Sequence, residues 1–242
     1  MAYGPDDAPV AVLVHGWGGW WQQLAAHVQP LLAQGYRVVA YDAPSHGGSP
    51  HGRHGRTTTA LEMADALDAV VRDVGGVDLV VAHSLGAMAT MWAREVHGLN
   101  AGAYVFIAPG TSVPPMIDVF QGAVGMGPRT RKRLERKLIR RFENPFEAFE
   151  ATRLTRNAIA AGAHSPLLVV HDAHDPEVPS AGSRALAKVW PESELVLTEG
   201  LGHRRVIWDP EVVERVAEFT ASVSNFVTVV RSPPNVSSPA GR

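Results

Sequence analysis

Ser84 closes the apolar run Val77-Asp-Leu-Val-Val-Ala-His-Ser-Leu-Gly and is followed by a helix-prone stretch, Leu85–His97. A serine at a sharp strand-to-helix turn holds its hydroxyl above the strand ends, and a glycine two residues later, here Gly86, lets the turn pack closely. The pattern is small-x-Ser-x-Gly, with Ala82 where Gly would complete a nucleophile elbow, so backbone strain is expected at that position. A neutral hydroxyl attacks a carbonyl only with a base beside it, and the base needs a carboxylate to orient it. Two later segments offer both groups: His171-Asp-Ala-His-Asp-Pro-Glu-Val-Pro179 and Glu199-Gly-Leu-Gly-His-Arg-Arg205. Asp172 and Asp175 are the candidate acids. His203 follows the last strand candidate, whereas His46, His83, His171 and His174 sit where turn or packing roles are commoner. The oxyanion formed by such an attack needs two N–H donors. The helix start supplies that of Leu85, and a His15-Gly16 turn supplies that of Trp17.

These residues must be carried by a scaffold that brings strand ends together. Short Val-rich runs alternate with longer amphipathic stretches, the pattern of an α/β protein with a mostly parallel sheet. Six runs read as strands: Val10–Val14, Tyr36–Tyr41, Val77–Ala82, Ala103–Ala108, Leu167–His171 and Glu194–Thr198. Helices are expected at Trp20–Gln34, Thr59–Val74, Leu85–His97, Ser180–Val189 and Pro210–Ser224, the last with Asp209 as N-cap. About 58 residues separate the fourth strand from the fifth, so residues 109–162 are expected to form a helical insertion beside a core of 1–108 and 163–226. Within it, Pro128–Phe142 holds eight Lys/Arg and an i, i+4, i+8 stripe of Leu134, Leu138 and Phe142. Such a helix is read as the solvated face of a small helical cap; an anion-attracting rim, or docking to an anionic membrane surface or a partner protein, are the alternatives. The Ser/Pro-rich segment Val227–Arg242 reads as a mobile tail.

Composition narrows the chemistry. The 242 residues contain no cysteine, which excludes disulfides, Cys-based metal centres and a thiol nucleophile. A formal charge of −2 gives no overall preference for nucleic acid, and none is expected as a partner. No apolar run approaches a membrane span and the first residues lack a signal-peptide pattern, so a cytoplasmic location is expected. His171, Asp172, His174 and Asp175 are of metal-ligand type, but acid–base work accounts for the same residues. Neither a metal nor a cofactor is therefore expected. His15 reads as a loop-packing residue, and Trp17, Trp20 and Trp21 as pocket or core. His83, Met116 and Phe120 join Trp17 as candidate pocket residues.

Taken in order, His15-Gly16-Trp17, Tyr41-Asp-Ala-Pro-Ser-His-Gly-Gly-Ser49, Ala82-His-Ser-Leu-Gly86, Asp175-Pro-Glu-Val-Pro179 and Gly202-His203 resemble the α/β-hydrolase superfamily, in its serine esterase and lipase branch, from about Val10 to Ser224. The resemblance implies an α/β-hydrolase fold with Ser84 as nucleophile, His203 as base and Asp175 as its partner. It also implies an oxyanion hole of the Trp17 and Leu85 N–H groups and a cap over the site. The activity it implies is hydrolysis of small carboxylic esters through an acyl-enzyme. Thioester, lactone or carbon–carbon cleavage on the same residues, or a non-catalytic binding protein of the same fold, are the alternatives. Three departures accompany it: Ala82 in the elbow, Ser45 where Arg is usual, and nine residues before Val10 where two further strands are usual. The last implies a sheet of about six strands whose Tyr36–Tyr41 edge lies open for pairing with a second copy.

Overall fold

The computed structural model describes residues 1–231, with side-chain surroundings through Val223. Seven strands form one sheet: β1 (Ala2–Tyr3), β2 (Val10–Val14), β3 (Arg37–Ala40), β4 (Leu79–His83), β5 (Ala103–Ile107), β6 (Leu167–Asp172) and β7 (Ser193–Thr198). Their order is β1-β3-β2-β4-β5-β6-β7, and all pairs are parallel except β1 with β3. The helices are α1 (Val28–Ala33), α2 (Ala60–Asp73), α3 (Leu85–His97), α4 (Val113–Val124), α5 (Pro128–Phe142), α6 (Ala151–Ala160), α7 (Ala181–Val189), α8 (Gly202–Arg205) and α9 (Pro210–Arg231). Short 3-10 turns at Trp21–His27 and Phe146–Phe149 complete the described elements.

The strands are buried on both faces because each face receives its own helical layer. Val12, Val80, Ala82, Phe106 and Val169 point into a cluster closed by α2, α3, α6 and α7. Their neighbours Leu13, Leu79, Val81, Val105 and Val170 point into the opposite cluster with Leu31 of α1 and Val212, Val216 and Phe219 of α9. Local signals set the helix ends. Thr59 accepts the Glu62 N–H at 3.3 Å to open α2, Gly98 at φ 66° closes α3, and Asp209 accepts the Glu211 N–H at 3.1 Å to open α9. Among the described residues, no helix is long and apolar enough to cross a membrane.

Three expectations are corrected. The Tyr36–Tyr41 edge is not open: Ala2 and Tyr3 pair antiparallel with Val39 and Val38, which adds a seventh strand and removes the basis for pairing with a second copy there. The cap is narrower than 109–162, because Ala151, Leu154, Thr155 and Ala158 of α6 are buried and α6 packs between α3 and α7 as a core helix. The tail expected from Val227 begins inside α9, which runs through Arg231; its remaining residues lie outside the described ones. What remains as the insertion is α4, α5 and the turn at Phe146–Phe149. Leu134, Leu138 and Phe142 of α5 are half-buried against the first cluster, and Phe142 meets Phe149 with ring centres 5.3 Å apart. Phe149 in turn lies 4.6 Å from Trp92 of α3.

Candidate active site

Ser84 is the hinge between β4 and α3. Its backbone at φ 51°, ψ −120° is a conformation that non-glycine residues rarely adopt. The turn is fixed from both sides: the Ser84 N–H donates to Ile107 O at 3.1 Å, and Ser84 O accepts the N–H of Gly110 at 3.0 Å and of Ala87 at 3.1 Å. The strain expected at Ala82 falls on Ser84 instead, since Ala82 is an ordinary strand residue paired with Val14 and Phe106. Gly86 is required by space: a Cβ there would lie 2.5 Å from His15 O and 2.6 Å from Val14 O. A Cβ on Gly16 would likewise fall 2.9 Å from the Ser84 Cβ, so the β2 turn and the elbow touch through two glycines.

Ser84 Oγ lies 2.9 Å from His203 Nε2, and His203 Nδ1 lies 2.7 Å from Asp175 Oδ2. With the imidazole proton on Nδ1, donated to the carboxylate, Nε2 accepts the serine hydroxyl. The Asp175 carboxylate is shielded from solvent, which opposes ionisation, but donors surround it. His171 Nε2 at 3.2 Å, His203, and the N–H groups of Val178 at 2.9 Å and Glu177 at 2.7 Å hold its pKa well below the ordinary carboxylate value. His171 is itself fully buried and locked: the Ser183 hydroxyl donates to its Nδ1 at 2.6 Å, and its Nε2–H is shared with Val178 O at 3.0 Å.

Asp172, the rival acid, has a different task. It accepts the N–H of His174 at 3.0 Å, the Thr198 hydroxyl at 3.0 Å and the Leu201 N–H at 2.8 Å, tying the loop after β6 to the loop after β7. Burial works against its charge, yet these donors outweigh burial and lower its pKa. With Asp172 and Asp175 so engaged, the four-residue metal grouping does not assemble; among the described residues no cluster of three ligand-type side chains is arranged for a metal.

The remaining histidines also have structural partners. His83 donates from Nε2 to His203 O at 3.0 Å, and the two rings lie 4.7 Å apart, so the elbow braces the loop that holds the base candidate. Burial depresses the His83 pKa to about 3, keeping that ring neutral. His15 donates from Nδ1 to Gly16 O at 2.7 Å and accepts the Ala43 N–H at 2.9 Å, while His46 Nε2 accepts the Gly18 N–H at 2.9 Å. These bonds fasten the turn after β2 to the Tyr41–Ser49 loop. Ser45, at φ 66°, closes that loop by donating to Gly55 O at 2.6 Å and accepting the Gly52 N–H at 2.9 Å. Among the described residues, no hydrogen bond engages the N–H of Trp17 or of Leu85.

A cavity of about 850 Å³ opens above Ser84 and His203. Trp17, His83, Met116 and Phe120 all line it, joined by Trp20 and by Trp208, whose place the sequence reading missed. Trp208 lies after the short α8 turn, where no periodicity marks it. Trp21 turns instead toward Tyr3 and the second core cluster. Helix α4 forms one wall through Met116, Val119, Phe120 and Ala123.

Comparison with known proteins agrees with this architecture. The "Putative carbamate hydrolase RutD" of Escherichia coli O103:H2 is 38% identical over 91 residues, covering 35% of this chain and 32% of that protein, so the match spans about a third of that curated relative's length. Among solved structures, the Paleococcus ferrophilus monoacylglycerol lipase aligns at TM-score 0.64 and 21% identity, over 92% of this chain and 98% of that one. The esterase RhEst1 from Rhodococcus sp. ECU1013 aligns at 0.68 and 20%, over 92% and 94%. At such identities these structures speak for the fold alone. The family whose sequence pattern matches residues 11–216 is the alpha/beta hydrolase family, and the chain belongs to it.

Proposed function

We propose that the protein is a serine hydrolase acting on carboxylic esters. The observation that carries this reading is the line Asp175–His203–Ser84, at 2.7 and 2.9 Å, ending on an elbow serine at the floor of a largely apolar cavity. In the first step Ser84 Oγ bonds to the ester carbonyl carbon as its proton passes to His203 Nε2. Asp175 stabilises the imidazolium that forms. The carbonyl oxygen becomes an oxyanion held by the N–H groups of Trp17 and Leu85. Collapse breaks the carbon–oxygen bond to the leaving alcohol, which takes the proton from Nε2. Water then repeats the sequence on the acyl-enzyme, with His203 as base, and releases the acid and the free serine.

Esters suit this site because the leaving alkoxide needs less protonation than an amine, and because the cavity is lined by Met, Phe and Trp side chains. The partial likeness to RutD supports a second reading, a carbamate substrate on the same residues. The test is hydrolysis of p-nitrophenyl esters from acetate to palmitate, and of the matching carbamates, by the native protein and Ser84→Ala. A serine-reactive phosphonate followed by intact mass gives a second readout. Ester turnover and a single adduct, both lost in Ser84→Ala while the fold persists, are the expected results. Turnover that survives the substitution would refute the assignment of Ser84, and preference for the carbamate series would move the conclusion to the second reading.

A further inference from the structure

Helix α5 carries eight basic residues against one acid, Glu135, in a chain whose formal charge is −2. Two of the eight hold the helix in place. Arg131 pairs with Asp118 of α4 and with Glu135, and Arg141 donates to the Thr57 hydroxyl. The other six, Arg129, Lys132, Arg133, Arg136, Lys137 and Arg140, are all exposed. Their spacing of three and four residues puts them on one stripe, opposite the Leu134, Leu138 and Phe142 stripe that rests on the core. Among the described residues none of the six makes an ion pair. Like charges at these spacings repel, so a helix needing only a solvated face gains by interleaving acids. This one does not.

The apolar side chains beside the stripe indicate what covers it. Ile139 flanks the cations at 40% exposure, and α4, bound to α5 through Arg131, exposes Phe120 and Val124 at 50% and 55%. Trp17, Trp20 and Trp208 at the cavity are likewise exposed. A phosphodiester chain would use the charges but not this hydrocarbon; a lipid headgroup layer uses both, with phosphates for the cations and the acyl boundary for aliphatic and aromatic groups. We infer that the stripe on α5 is a docking surface for an anionic lipid bilayer, with α4 and the cavity mouth next to the point of contact. The helix does not lie in the membrane as an amphipathic segment, because its apolar side is already used by the core. It attaches through its charged side.

Each basic side chain near an anionic bilayer strengthens attachment by about fivefold at low salt, and the effect is screened as salt rises. The test is co-sedimentation of the full chain with vesicles of equal parts phosphatidylcholine and phosphatidylglycerol, compared with phosphatidylcholine alone. Binding to the mixed vesicles that falls at least about tenfold between roughly 0.05 and 0.5 M salt is expected. The quadruple variant Lys132→Glu, Arg133→Glu, Arg136→Glu, Lys137→Glu should bind at least about 100-fold more weakly, with hydrolysis of a short soluble ester unchanged. The salt series on the native chain needs no variant and so stands even if the substitutions disturb folding. Equal binding to both vesicle types, or to neither, overturns the inference. Retention on heparin or polyglutamate without vesicle binding overturns it as well and gives the stripe to an acidic polymer or protein.

Discussion

Gly86 shows how closely a single position governs the site. The atoms a Cβ would strike are the carbonyls of Val14 and His15, backbone groups that cannot rotate away as a side chain would. Gly86→Ala must therefore push the start of α3 off the end of β2, separating the N–H groups of Leu85 and Trp17. Overpacking of this kind costs about 1–3 kcal/mol, and loss of one oxyanion donor costs about 100-fold or more in kcat. The expected outcome is a folded protein with lowered Tm and ester turnover reduced by that order; unchanged turnover would mean the two loops do not act together. That Ser84, His203 and Asp175 come together was legible in the sequence, because their types and order are themselves the signal of the candidate site. The tasks of Asp172 and His171 were not. A carboxylate that joins two loops and an imidazole donating to Asp175 look, in sequence, like rivals for the acid and the base. Only the tertiary position of Thr198, Leu201 and Ser183 separates the roles.

Elements that repeat a period were readable, and those that do not were missed. The runs of β2 and β5 and the first four residues of β4 stand out as apolar blocks, and α3 was placed to the residue because Ser84 and Gly98 mark both ends. Ala2–Tyr3 is too short to show alternation, so the strand that covers β3 has no signature of its own. Helix α6 fell within the expected cap because it lies in the long interval between the fourth and fifth strand candidates, although its small buried residues, Ala151 and Ala158, are those that let a helix pack closely between two others. The joint between insertion and core is Phe149, 1% exposed, with Trp92 on one side and Phe142 on the other. Phe149→Ala should cost about 3–5 kcal/mol in urea unfolding and loosen α5. Trypsin, for which α5 offers many sites, should then cut that helix well before the sheet in the variant and not in the native protein. Simultaneous cutting everywhere would show that the insertion has no separate attachment.

At the scale of the whole molecule, acid is the expected weak point. His27 is buried beneath the second core cluster and donates to Ile207 O at 2.8 Å; burial lowers its pKa to about 4, and that of His83 to about 3, against 6.5 for the free side chain. Both folded values are depressed, so the unfolded chain takes up protons first as pH falls. Stability contributed by neutral His27 is present above about pH 6.5 and is lost between 6.5 and 4, an effect on the order of 3 kcal/mol. That of His83 continues to fall toward pH 3. The urea midpoint should drop steadily over this range, and His27→Gln, which keeps a donor but does not titrate, should flatten the upper part of the curve. A midpoint independent of pH between 7 and 4 would contradict neutral burial.

The separation of Ser84 from His203, 119 residues along the chain, also bears on how the protein comes into being. A ribosome finishes the elbow, the layer of α2, α3, α6 and α7 and the whole insertion before it adds the loop that carries His203, and α9 of the opposite layer follows that loop. On the proposed reading, the serine is until then an ordinary alcohol. On the proposed reading, chains that stop before this loop would carry the elbow serine yet lack His203 and the cavity wall that Ile207 and Trp208 supply, so incomplete products are chemically silent rather than weakly active.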